Sequence, residues 1–234
     1  EQQLSSISGS GMPQHVSNTL QALARLSLPA ANPTCASSVI SLEYAQWCAA
    51  QLLTGKVAQQ LDKWVAQDIS NAMWACGKLR VHDAAFLERA AAAGRSWLPK
   101  AVAPNVRQMA YACRELQFKD EKLIAGLVNC AQQVQQRGQQ QTLAMTAEVG
   151  CAVAELDMQQ LASDVRTLVE QCRLTAGAKL LPVDARMLWQ VHTWLLQHQL
   201  LDGQGLAGLL SQQQLEQGRA ASVKYHAQQQ QQFK

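Results

Sequence analysis

Five places in the 234-residue chain hold two side chains seven residues apart that could do recognition chemistry. The pairs are Asn18/Arg25, Asn71/Lys78, Gln108/Glu115, Glu148/Glu155 and Arg186/Thr193. A small residue stands between the members of four of them, at Ala22, Ala75, Ala112 and Ala152; Gln190 breaks the run. Seven residues is close to two turns of α-helix, so each pair shares one stripe of a helix surface. The pairs change from place to place while their neighbours stay apolar. A base-reading surface needs this, because Asn, Gln and Arg can hydrogen-bond base edges while Lys and Arg hold phosphates. Asn18/Arg25 and Asn71/Lys78 fit best; Glu148 and Glu155 repel phosphate and suit protein or solvent. Arg80, Arg107, Arg114 and Lys179 lie near the stripe in sequence and extend a track of positive charge. Immediately before the small residue come Gln21, Trp74, Tyr111, Cys151 and Trp189. Rings there can stack on bases, although packing between helices is their commoner use. The candidate RNA-binding set is Asn18, Arg25, Asn71, Lys78, Arg80, Arg107, Gln108, Arg114 and Arg186. The competing reading is that the stripe is the solvated side every amphipathic helix possesses.

Other chemistries find less. His15, His82, His192, His198 and His226 are scattered, and none sits in an H-E-x-x-H pattern. His82 reads as a loop residue before a helix start at Asp83. There is no Walker A sequence and no G-x-S-x-G. The seven cysteines (Cys35, Cys48, Cys76, Cys113, Cys130, Cys151 and Cys172) are odd in number, lack C-x-x-C and lack zinc-ligand spacing to histidine. Cys76 and Cys113 occupy one position of two repeated segments, which marks them as packing residues rather than nucleophiles. No catalytic site, metal, cofactor or small-molecule substrate is expected, and reduced thiols fit cytosol, mitochondrial matrix or chloroplast stroma.

The elements that must position the stripe are helices in a repeat. Ala (36 residues) and Gln (34) are far above average usage, while charged residues are only 16 % and the net charge is +3. Few β-branched residues and few turn signals argue against a sandwich or barrel, and no apolar run is long enough to span a membrane. Segments starting at Val16, Ile69, Val106, Thr146 and Asp184 superimpose without gaps, ending at Leu28, Val81, Phe118, Met158 and Leu196. Their period is about 38 residues, that of a helix-turn-helix unit. The first interval is longer, so residues 35–55 read as an insertion or an extra helix. Leu26, Leu79, Leu116, Leu156 and Trp194 repeat as one buried column. A second helix follows each first one, N-capped at Asp83 and Asp120, with Phe86/Leu87 and Leu123/Ile124 as core residues. Unit four continues with Val165, Leu168 and Val169, and unit five with Leu206, Leu209 and Leu210. Trp47, Trp64, Trp97 and Trp194 read as packing residues. The expected fold is all-α, an α-solenoid of about five repeats over residues 12–210, with units starting near 12, 65, 102, 142 and 181. A flexible segment, 1–11, precedes it and a Gln-rich helix or tail, 211–234, follows. Because the first residue is Glu1 rather than Met, the chain reads as processed or partial.

These repeats resemble the octotricopeptide repeat (OPR) family, common in green-algal organelles. Its hallmark phrase, x-P-Q-x-L-S-N-x-L-W-A-L-A-x-L, is matched by Met12-PQHVSNTLQALARL and Val65-AQDISNAMWACGKL, and more weakly by Ala103-PNVRQMAYACREL and Leu181-PVDARMLWQVHTWL. Unit four, Thr146–Met158, lacks the Ser-Asn and the Trp. Leu188-WQVHTWLLQ is similar to the helix that precedes a C-terminal RAP domain in related proteins. The resemblance implies pairs of antiparallel helices and RNA binding in a mitochondrion or chloroplast. The short array, weak charge and irregular repeats favour a structural subunit of the mitochondrial ribosome in the matrix, with rRNA and ribosomal proteins as partners and no membrane. The alternatives are a chloroplast or mitochondrial factor for mRNA stability or translation, and a protein-protein scaffold without RNA contact.

Overall fold

The computed structural model describes residues 12–27, 40–55, 58–138, 142–172 and 179–232, together with Ser6. Cys35, most of segment 1–11 and Gln139–Gln141 lie outside the described residues. Ten α-helices run through the described residues, with no strand among them. They are α1 (Pro13–Leu26), α2 (Leu42–Thr54), α3 (Ala66–Leu79), α4 (Ala84–Trp97), α5 (Ala103–Glu115), α6 (Glu121–Gln136), α7 (Thr142–Glu155), α8 (Ala162–Gln171), α9 (Pro182–Gln197) and α10 (Gln212–Gln232). The all-α expectation holds, and no helix is long and apolar enough to cross a membrane among the described residues.

The second helices start where short polar side chains satisfy the free N–H groups of the first turn. Tyr44 N–H donates to Ser41 Oγ at 3.2 Å, Phe86 N–H to Asp83 Oδ1 at 2.9 Å, and Leu123 N–H to Asp120 Oδ1 at 2.7 Å. Asp83 and Asp120 are thus the N-caps anticipated, and Phe86, Leu87, Leu123 and Ile124 are buried. Four first helices stop by one device. Val81 N–H reaches Cys76 O, Phe118 N–H reaches Cys113 O, Met158 N–H reaches Val153 O and Leu200 N–H reaches Leu195 O, at 2.8–3.0 Å. The residue before each donor, Arg80, Gln117, Asp157 or Gln199, has φ between 48° and 53°. This is a Schellman stop built on a non-glycine residue.

The stop corrects one boundary. In units two to four it falls on the last two residues of the repeated segment, but in unit five it falls on Gln199 and Leu200, four residues later than the segment ending at Leu196. Helix α9 is about one turn longer at its N-terminal end, and Leu188 is the counterpart of Ile69 and Val106. Leu196 is accordingly 39 % exposed.

The chain divides into two compact units: residues 1–101 with 108–126, and residues 102–107 with 127–234. In the first, α1 packs on α3 across the chain segment that holds α2, and α3 packs on α4. Val16, Leu20, Cys48, Leu52, Ile69, Met73 and Phe86 build its core, and Trp64 meets Phe86 with ring centroids 6.4 Å apart. Helix α2 is the one α-helix between α1 and α3 among the described residues. Two expected core residues lie outside this core: Leu26 is 41 % exposed, and Trp47 is 42 % exposed and stacked on Tyr44. In the second unit α7 packs on α8 and α9, and α9 packs on α10. Val165, Leu168 and Val169 are buried as expected. Leu206 and Leu210 are buried but not helical, because Gly203, Gly205 and Gly208 adopt positive φ and hold the segment in turns. Gln212–Gln232 forms the helix instead, opened by a capping box in which Gln214 N–H donates to Ser211 Oγ and Ser211 N–H to Gln214 Oε1.

Candidate nucleic-acid interface

In the first unit, consecutive first helices face one another through polar side chains. Ser17 Oγ on α1 donates to the buried Asp68 Oδ1 on α3 at 2.9 Å. About one turn further along, Asn71 Oδ1 accepts from Gln21 Nε2 of α1 at 3.0 Å and from Gln108 Nε2 of α5 at 3.1 Å. Three helices are therefore joined through one amide. The close approach needs small residues: a Cβ at Gly77 would lie 3.2 Å from Ala112 Cα and 3.1 Å from Tyr111 Cε1.

Next to the amides lies a group of cations and rings. Lys78 Nζ sits 4.2 Å from the centroid of Tyr111 and 5.8 Å from that of Trp74. The Arg114 guanidinium lies 5.4 Å from the Tyr111 centroid and pairs with Glu115 at 3.0 Å. Trp74, Lys78, Tyr111 and Glu115 are half-buried. Rings that hold a cation on one side and keep solvent contact can stack on planar ligands, while the cation meets an anion.

The remaining candidates divide by burial. Asn18, Arg25, Arg80 and Arg107 are exposed, Gln108 is half-buried, and Asn71, Arg114 and Arg186 are buried at 6, 7 and 8 % exposure. The structure thus brings together Asn71, Lys78, Gln108 and Arg114, with Trp74 and Gln21. In the second unit Arg186 Nη1 donates to Gln190 Oε1 at 3.1 Å and stacks 4.2 Å from the ring of Tyr225 on α10. Gln190 Nε2 donates to Glu155 Oε1 at 3.2 Å, and Cys151 Sγ donates to Gln190 Oε1 at 3.1 Å. Gln190 here plays the part Asn71 plays in the first unit, bonding the residue before the small one on the preceding first helix, as the four-residue register shift requires. Tyr225 gave no signal because it stands in a Gln-rich stretch that reads as tail.

Burial is the leading cause of the shifted titrations. Burial, helped by Asp83 and Asp120, pushes the Cys76 and Cys113 thiols up to about 12. Burial also raises the Asp184 carboxyl, which Arg107 opposes, and lowers His192, whose Nδ1 accepts from Leu206 N–H at 2.9 Å. Among the described residues no group of His, Cys, Asp and Glu is arranged to hold a metal. No protein-family model, curated protein or solved structure matches the chain.

Proposed function

We propose that the chain is an OPR-type α-solenoid that binds RNA in an organelle, and specifically a structural subunit of the mitochondrial ribosome that holds rRNA. The observation that carries this reading is the half-buried Trp74–Lys78–Tyr111 group beside the Gln21–Asn71–Gln108 amides. It supplies stacking surface, a phosphate partner and hydrogen-bonding amides within a few residues. The packing of α1 on α3 and of α7 on α9 is what stacked helix pairs require. A net charge of +3 suits one fixed contact better than searching along free transcripts. The role needs no catalysis. The matrix is the proposed compartment, with the chloroplast stroma the alternative.

Purification of the native complex tests the reading. Co-sedimentation with a ribosomal subunit at high salt, with crosslinks from rRNA to α3 or α5, is the expected result; recovery with one free transcript alone overturns the ribosomal assignment in favour of an mRNA factor. Replacement of Arg25, Lys78, Arg107 and Arg114 by Ala together should abolish crosslinking. A protein-binding scaffold is the second reading, favoured by the exposed Tyr44–Trp47 stack on α2, a helix whose one charged residue is Glu43. Absence of any RNA crosslink would decide for it.

A further inference from the structure

Asn71 is only 6 % exposed, yet its amide is not fully used. Its Oδ1 accepts from both Gln21 Nε2 and Gln108 Nε2, which occupies both lone pairs and fixes which way the amide points. Its Nδ2 donates to no group among the described residues and keeps some contact with solvent. An oriented N–H donor therefore faces outward between α1 and α5. Trp74 stands three residues beyond Asn71, and Tyr111 three beyond Gln108, so a half-buried ring lies about one turn from each amide on the same side of its helix.

Resting on the RNA-binding reading above, we infer that Asn71 is a fixed hydrogen-bond donor that selects keto bases, guanine or uracil, over amino bases at one position of the bound RNA. A base stacked on Trp74 or Tyr111 would turn its edge toward the amide. Guanine O6 and uracil O4 accept from Nδ2; the amino groups of adenine and cytosine at the equivalent edge position are donors and face donor against donor. In this arrangement the two glutamines oppose a flip of Asn71 alone, since that would set its Nδ2 against two Nε2 groups. Selectivity at this position thus comes from the neighbours of Asn71 as much as from Asn71 itself.

Asn71→Asp isolates the claim. A carboxylate still accepts from Gln21 and Gln108, so the three-helix junction survives, but the outward donor becomes an acceptor. A randomised single-stranded RNA pool is selected in parallel on the wild-type chain and on N71D, with thermal melting to confirm that the variant is folded. The expected result is one position at which the keto preference of the wild type, roughly five- to tenfold, reverses toward amino bases in N71D. Enrichment by both proteins with the same preference everywhere overturns the inference and leaves RNA binding standing. No enrichment by the wild type overturns RNA binding in this region and the inference with it. Should N71D not fold, the wild type is titrated with oligouridylate and oligoadenylate while the Asn71 side-chain amide resonance is followed. A shift with oligouridylate alone supports the inference; binding of either oligonucleotide without a selective shift overturns it.

Discussion

Gln117 holds a left-handed backbone at φ 50° with a full side chain, a conformation that glycine adopts without steric penalty. Replacing it with glycine removes that strain while enlarging the freedom of the unfolded chain, so the net gain is small. Gln117→Gly should raise stability by roughly 0.5–1 kcal/mol in urea titration. His192 makes a second prediction. Its buried ring must be neutral to accept from Leu206 N–H, and burial lowers its pKa from 6.5. The unfolded chain then binds this proton at higher pH than the folded one, so the stabilisation is complete above 6.5 and is lost as pH falls from there toward the folded value. Unfolding midpoints measured between mildly acid and neutral pH should drop on acidification, and His192→Phe should flatten that part of the profile. At this scale the caps at Asp83 and Asp120 and the packing role of Cys76 and Cys113 were legible, because each rests on local chemistry. The burial of Asn71, Arg114 and Arg186 was not. Each is polar, on a polar stripe, and only the helix packed beside it decides that its side chain lies inside.

Helix α9 shows what periodicity can and cannot locate. The apolar pattern of a helix repeats every three to four residues, so a segment slid by one turn matches nearly as well. The stop at Gln199 breaks the tie, and it depends on a backbone conformation that no residue type here announces. The segment after α9 failed as a helix for a visible reason, the glycines at 203, 205 and 208. Helix α10 is held against α9 by the absence of a side chain at Gly218, where a Cβ would lie 2.6 Å from Ala185 O and 2.8 Å from Trp189 Cβ. Gly218→Ala should push α10 outward, cost about 1–3 kcal/mol, and shift the fluorescence of Trp189 toward that of a solvated indole. The variant should leave crosslinking through α3 and α5 unchanged.

For the whole molecule, the all-helical class was readable from composition alone, since 36 Ala and 34 Gln leave few residues that prefer strands. The low charge has a quantitative counterpart. If Lys78 holds one phosphate, Lys78→Ala should reduce the slope of log affinity against log salt by about 1. Binding that weakens without a change of slope would assign Lys78 to the rings alone. The buried thiols of Cys76 and Cys113 carry a consequence for kinetics. A thiol that ionises only near 12 and has no solvent contact reacts with an alkylating reagent only when its helix pair opens. Pulsed alkylation in mildly alkaline buffer, read by peptide mass spectrometry, should therefore time how often α3 and α5 each come apart. Bound RNA should slow both clocks, and a ligand that touches only one of the two helices should slow one.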